Sequence, residues 1–195
     1  MSAAEEPVVF SSIIEGAHRA FGAQLTPELR ERVRTLGLDL DAKRAAYPVN
    51  EFLPGFVALA DAVVPGDDAS RPARLREFGH QFMNGFARTA IGTAVFTMAR
   101  TIGIRRAMER IGRNVRTTGN FMDATCDVRA PNEVLITVFV QRQFRAWVTP
   151  TWEVMALYRL GIFDGILSNL KAREPFAEIV ELQPHTTTFR ARWAP

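Results

Sequence analysis

The sequence predicts an α+β fold in which N-terminal helices pack on an antiparallel sheet built as hairpin, helix, hairpin. Apolar residues recur at helical spacing through about residues 8–118, and the period changes to two after Gly119. A further helical stretch then separates two pairs of strands in the region of about 120–194. With 195 residues, of which 47% are hydrophobic, the chain can bury one substantial core. We therefore expect a single domain over 1–195.

Start and stop signals divide the helical part. Thr26 and Pro27 form a strong helix start, because Thr caps the first N–H groups and Pro fits the first turn. Gly37 ends that helix. The stretch 70–100 carries apolar stripes on two faces and is expected to form one long interior helix. Further helices are predicted over 11–21, 50–64 and 104–113.

Alternation of apolar and polar residues predicts the strands. It indicates a half-buried strand over 122–128, with Cys126 on its apolar side. A turn at 130–132 leads into the β-branched segment 134–140. The remaining predicted elements are a helix over 149–172 and strands over 176–182 and 186–193.

The composition excludes several classes of protein. Cys126 is the one cysteine, so an internal disulfide framework and a cysteine-based zinc site are excluded, and the three histidines lack metal-ligand spacing. No apolar stretch approaches 18 residues, so no membrane span is expected. A net charge of +3 is too small to indicate a nucleic-acid binder. Residues 1–7 lack the basic region of a secretory signal, and we expect a cytoplasmic protein.

No catalytic motif is present, and no catalytic or metal-binding residue is predicted. The nucleophile elbow, the P-loop and the dinucleotide fingerprint are all missing. Asp123 and Asp127 share a strand face but lie about 13 Å apart, too far for an acid–base pair. His80 tops an apolar helical stripe, where it is either a structural histidine or a group that could ligate haem or act as a base.

Aromatic and small residues indicate a possible apolar pocket. Gly161 and Gly165 lie on one face of the helix over 149–172, where they permit close approach of the sheet, another subunit or a flat ligand. We expect Gly165 to face the sheet. The candidate ligand-binding residues are Phe82, Phe86, Phe139, Trp147, Trp152, Tyr158, Ile162 and Gly165.

Six arginines and one glutamate lie between residues 100 and 116. This run is either a site for a phosphate, an acidic partner or a membrane surface, or a solvated helix face whose cations favour the helix C-terminus. We expect these side chains to be mostly exposed and to bind acidic partners weakly, in a salt-sensitive way. The candidate anion- or partner-binding residues are Arg105, Arg106, Arg110, Arg113 and Arg116.

Several motifs together resemble a large paralogous family of myxobacterial proteins of unknown function. The resemblance covers nearly the whole chain. Its motifs are Phe-Gly-His-Gln-Phe-Met-Asn-Gly-Phe at 78–86, Gly-Ile-Arg-Arg-Ala-Met-Glu-Arg at 103–110, Arg-Asn-Val-Arg-Thr-Thr-Gly-Asn at 113–120 and Gly-Ile-Phe-Asp-Gly-Ile-Leu at 161–167, with matching segments at 26–40 and 47–48.

The order hairpin, glycine-rich helix, hairpin is more distantly similar to a ligand-binding fold. That fold is shared by haem-based nitric-oxide sensors, vinyl-reductase-type domains and Golgi-transport tethering subunits. The resemblance to the sensors implies a proximal histidine before the first strand and a Tyr-x-Ser-x-Arg motif after the second. Residues 104–116 contain no histidine, and 138–143 read Val-Phe-Val-Gln-Arg-Gln. Haem held in that way is not expected, and the cofactor stays unknown.

These observations favour a non-catalytic ligand-binding or sensory domain with an apolar pocket for a small hydrophobic molecule. Two alternatives stay open. One is a small enzyme that acts on a hydrophobic substrate in the same pocket, and the other is a homodimeric adaptor that works through its surface.

Overall fold

The computed structural model describes residues 6–42, 44–113, 115–148 and 151–195, and their side chains except those at 111–113 and 117. Helices and strands follow one another in the α+β order that the sequence predicts. The described helices are α1 (Ser12–Phe21), α2 (Pro27–Thr35), α3 (Val49–Val63), α4 (Arg71–Phe86), α5 (Ala90–Ile102), α6 (Ile104–Arg113), α7 (Arg145–Val148) and α8 (Trp152–Asn169).

Two short strands near the N-terminus form a small sheet of their own. They are β1 (Val8–Phe10) and β2 (Ala46–Pro48), which pair antiparallel. Val9 also forms a bridge with Gly119, so this sheet ties the start of the chain to the segment before the main sheet. Each strand has three residues. Such strands are too short to show alternation, and they were not predicted for that reason.

The main sheet has four antiparallel strands in the order β3-β4-β6-β5. They are β3 (Met122–Ala130), β4 (Glu133–Val140), β5 (Arg173–Gln183) and β6 (Thr186–Ala194). The second hairpin closes on the first because β6 pairs with β4, and α8 lies between the two hairpins in sequence. The predicted hairpin, helix, hairpin arrangement is confirmed. Every second residue of β4 is fully buried, namely Val134, Ile136, Val138 and Val140.

The predicted single helix over 70–100 is wrong, because the chain turns between α4 and α5. The hydroxyl of Thr89 accepts a hydrogen bond from the N–H of Gly92 at 3.0 Å and caps α5. Gly92 lies against the carbonyl of Phe86, and a Cβ at this position would overlap that oxygen. The cap and the glycine together allow a sharp turn that apolar periodicity does not show. The helix predicted from residue 149 begins at Trp152 among the described residues.

Helices α4 and α8 cross in close contact. Gly79 lies against the carbonyl of Tyr158, and Gly161 lies against the carbonyl of Arg76. The side chain of Arg76 extends from the same crossing. It donates two hydrogen bonds to the carboxylate of Asp164, from Nε at 2.6 Å and from Nη2 at 2.9 Å. Its Nη2 also donates to a backbone carbonyl of β5 at 2.9 Å. One side chain therefore joins α4, α8 and the main sheet.

None of the described helices combines the length and the apolar character needed to cross a membrane. Within the described part of the chain, no group of three or more His, Cys, Asp or Glu side chains is placed to hold a metal ion. Cys126 is half-buried on β3 and packs against the core.

Candidate ligand-binding cavity

An apolar cavity lies between the helices and the main sheet. Its volume is about 490 Å³, and its walls come from α1, α3, α4, α5, α8, β3 and β4. The described lining residues are mostly hydrophobic, and the polar ones among them are Ser12, Thr118, Tyr158 and Arg159. A cavity of this size with few polar groups is typical of small-molecule sites.

Aromatic rings from three helices form one wall of the cavity. Tyr158 of α8 meets Phe56 of α3 edge to face, with 5.0 Å between ring centroids. Its ring also lies 5.7 Å from the rings of Phe78 and Phe82, both on α4. Such pairs stabilise one another beyond the effect of burial. The cluster therefore holds Tyr158 in a defined position at the cavity wall.

Four of the predicted ligand-binding side chains line this cavity, namely Phe82, Phe86, Tyr158 and Ile162. Residues four apart share a helix face. Phe82 and Phe86 therefore project together from α4, and Tyr158 and Ile162 project together from α8. The paired stripes meet in the same space because α4 packs against α8.

Three of the other predicted residues lie elsewhere. Phe139 is half-buried and follows Val138 on β4, so its side chain is on the opposite face of the sheet from the cavity. Trp147 is 45% exposed on α7. Trp152 is buried, but it packs under the guanidinium of Arg159 rather than lining the cavity. Aromatic composition alone does not show which way each ring points.

The expected orientation of Gly165 toward the sheet is wrong. A Cβ at Gly165 would lie 2.6 Å from Cβ of Met83 and 3.2 Å from the carbonyl oxygen of His80, and both of these residues belong to α4. The absence of a side chain at Gly165 thus allows α4 and α8 to pack closely. Helical spacing shows that small residues share a face, but it does not show which neighbour covers that face.

Two residues of α8 that line the cavity each carry a polar atom without an ordinary partner. Nη1 of Arg159 and the phenol oxygen of Tyr158 are buried, and neither forms a hydrogen bond with a described residue. Nη2 of Arg159 contacts Sδ of Met122, and the guanidinium carbon lies 5.1 Å from the ring of Trp152. Both contacts are with soft, weakly accepting groups.

Burial shifts the pKa of both groups, but it does not change their protonation at neutral pH. Burial lowers the pKa of Arg159 to about 10. Burial also raises the pKa of the Tyr158 phenol well above its ordinary value, and the nearby Arg159 charge opposes this in part. At pH 7 the cavity therefore presents one cation and one neutral hydroxyl donor.

Sequence reasoning missed Arg159, although a signal was present. It is the one charged residue between Val154 and Phe163. Charged residues in a buried helix are rare unless they have a partner. A single charged residue in an apolar helix was therefore a better indicator of a residue at the cavity than the dense arginine run before β3.

Four of the five candidate arginines lie on the outside of the molecule. Arg105, Arg106, Arg110 and Arg116 are exposed, and the side chain of Arg113 falls outside the described residues. Arg105 is 3.6 Å from Glu109, and Arg116 forms an ion pair with Asp123. A shallow depression of about 360 Å³ lies beside Arg105 and Arg106. Anion binding at this surface stays a prediction.

His80 is half-buried on α4 beside the crossing with α8 and is not among the described residues that line the cavity. Its Nε2 is 3.3 Å from the side-chain amide of Asn84, and its Nδ1 is 3.9 Å from the carboxylate of Glu77. These contacts are those of a structural histidine hydrogen-bonded along a helix.

Comparison with protein families identifies the chain. A profile described as protein of unknown function (DUF2378) matches residues 7–194. The chain belongs to the DUF2378 family. A comparison with curated proteins finds no significant match for this DUF2378 chain.

Solved structures similar to this DUF2378 chain include H-NOX domains. An oxygen-binding H-NOX domain related to soluble guanylate cyclases is 16% identical, with a TM-score of 0.59 over 95% of this chain and 93% of that chain. A mutant H-NOX from T. Tengcongensis is 14% identical, with a TM-score of 0.57 over 95% of each chain. At these identities the likeness concerns the fold, and the expected resemblance to the nitric-oxide sensor fold is confirmed.

Proposed function

We propose that this chain is a non-catalytic, cytoplasmic sensory domain that binds a small hydrophobic molecule in the cavity between α4, α8 and the main sheet. The apolar cavity of about 490 Å³ carries the proposal. The described lining residues include no carboxylate, imidazole or thiol that could act as a general base or nucleophile. The H-NOX-like fold supports a sensory role by analogy, since it hosts ligand binding in the similar structures.

An unfilled apolar cavity of this volume costs stability, because the atoms that line it lack packing partners. Water gives little compensation, because the described walls offer few hydrogen-bonding groups. A bound apolar molecule removes most of this cost.

Haem is the first occupant to test, because one similar H-NOX structure is described by its haem redox potential and porphyrin distortion. Haem iron is ordinarily held by an imidazole, a thiolate or a phenolate, and the methionine thioethers that also line this cavity would need a histidine as the second ligand. None of the described lining residues is His or Cys, and burial keeps the Tyr158 phenol protonated. These residues do not fit a ligated haem, and the proposal is an apolar organic ligand.

Helix α5 is the wall through which we expect a ligand to pass. Ile91 and Val95 line the cavity and are nevertheless 57% and 37% exposed. The buried residues of α5 are Gly92, Phe96 and Ala99. A helix with so little buried apolar surface separates from the core at low free-energy cost.

Filling the cavity with side chains is expected to block binding. The probe is N-phenyl-1-naphthylamine, a neutral dye that fluoresces in apolar sites. In the double variant Val154→Phe/Ile162→Trp, two half-buried lining residues of α8 are enlarged, and we expect dye affinity to fall by about tenfold or more. The thermal midpoint should change little, because neither side chain is fully enclosed by the packed core.

The matched control is Val180→Phe/Leu182→Trp, which makes similar changes at two exposed positions of β5. Dye affinity should equal that of the wild type. Equal affinity in the folded cavity variant would overturn the proposed function.

A further inference from the structure

We infer that the ligand is a carboxylate with an apolar tail, whose head group binds Arg159 and the phenol of Tyr158. This inference rests on the proposed function and adds a charge to the ligand. Its basis is a half-buried arginine at the cavity, whose Nη1 is buried and has no acceptor among the described residues.

The surroundings of Arg159 do not compensate its charge. No described carboxylate lies within 4.0 Å of the guanidinium, and Nη1 is buried without an acceptor. A thioether is a weak hydrogen-bond acceptor. The attraction of a cation to an aromatic face compensates only part of the hydration energy that the cation loses on burial. An uncompensated buried charge costs several kcal/mol. An acceptor supplied by the ligand removes this cost.

Arg76, on the facing helix, shows how the fold treats a structural arginine. It donates twice to Asp164 and once to a carbonyl of β5. Arg159 lies on α8 against Met122 of β3, and only Arg76 of these two arginines has a full set of protein acceptors among the described residues. The contrast indicates that the acceptors of Arg159 come from outside the chain.

The chemistry of the two donors selects a monoanion. A guanidinium presents a planar fork that matches both oxygens of a carboxylate, and a protonated phenol adds one hydroxyl donor. A phosphate monoester carries more charge and more acceptor sites than one arginine and one phenol satisfy. The remaining wall is apolar and suits an alkyl chain, with Phe82, Phe86 and Ile162 among its members.

The test compares dodecanoate with dodecan-1-ol, which has the same tail and a neutral head. Each ligand displaces N-phenyl-1-naphthylamine from the wild type and from Arg159→Met. We expect Arg159→Met to bind dodecanoate about 30-fold more weakly than the wild type. Its affinity for dodecan-1-ol should stay within about threefold, because the tail contacts remain. Arg105→Met, at an exposed arginine, should bind both ligands as the wild type does.

Failure of the proposed function and failure of the head-group assignment give different results. If the wild type binds neither ligand, the proposed function fails. If Arg159→Met binds dodecanoate as tightly as the wild type, the head-group assignment fails and the proposed function stands.

Two further variants keep the test decisive if Arg159→Met does not fold. Arg159→Lys keeps the charge without the planar fork, and we expect about a tenfold loss of dodecanoate affinity. Tyr158→Phe keeps the ring packing and removes the hydroxyl, and we expect about a threefold loss for dodecanoate alone. Wild-type affinity for dodecanoate in both variants would contradict the inference.

Discussion

Gly161→Ala is expected to lower the free energy of unfolding by about 4 kcal/mol or more, which removes much of the stability of a typical domain. The added Cβ would overlap the carbonyl oxygen of Arg76 on α4. Backbone atoms cannot turn away as a flexible side chain does, so α4 and α8 must separate. Urea-induced unfolding followed by circular dichroism measures the loss. Gly79→Ala meets the carbonyl of Tyr158 and should behave alike.

Gly22→Ala is the matched control. A Cβ there meets nothing within 4 Å, and Gly22 has a right-handed helical backbone with φ −49° and ψ −39°. The free energy of unfolding should change by less than about 1 kcal/mol, with a gain favoured because alanine restricts the unfolded chain. If Gly161→Ala were as stable as Gly22→Ala, the close crossing of the two helices would be wrong.

Asp164→Asn is expected to destabilise the fold by about 2 kcal/mol. The change removes the charged acceptor of two hydrogen bonds from Arg76, a side chain that also holds a carbonyl of β5. The hydrogen bond and charge of Asp164 raise the pKa of Arg76, so the guanidinium stays charged and loses its counterion in the variant. Solvent screening reduces the cost because the Arg76 side chain is 41% exposed.

Glu31→Gln is the control for Asp164→Asn. It breaks the ion pair with Arg34 on α2, in which both side chains are more than half exposed. Exposed pairs of this kind contribute about 0–1 kcal/mol. Equal losses in the two variants, measured by urea unfolding, would show that Arg76 does not join α4, α8 and β5.

Periodicity predicted the elements of this fold better than their ends or their neighbours. Alternation identified β3, and β-branched residues after a turn identified β4, so the first hairpin was predicted correctly. The same reasoning joined α4 to α5, because an apolar stripe continues across a turn that Thr89 caps. The turn depends on a local hydrogen bond and on one glycine contact, which hydrophobic pattern does not record.

Four of the eight candidate ligand-binding residues line the cavity. Tyr158 and Ile162 are two of them, because residues four apart lie on one face of α8. Spacing could not assign Gly165 to α4 rather than to the sheet, since that depends on which element packs against each face. The missing partner of Arg159 is likewise a tertiary property, because it depends on which side chains surround the guanidinium.

Native mass spectrometry of the full chain, purified without refolding, tests most directly whether the cavity holds a ligand. We expect the wild type to carry an additional mass of a small organic molecule that denaturation releases, without a haem absorption band. The Val154→Phe/Ile162→Trp variant should give the mass of the chain alone, and Val180→Phe/Leu182→Trp should keep the additional mass. A wild-type chain with no bound mass, or a bound haem, would contradict the account.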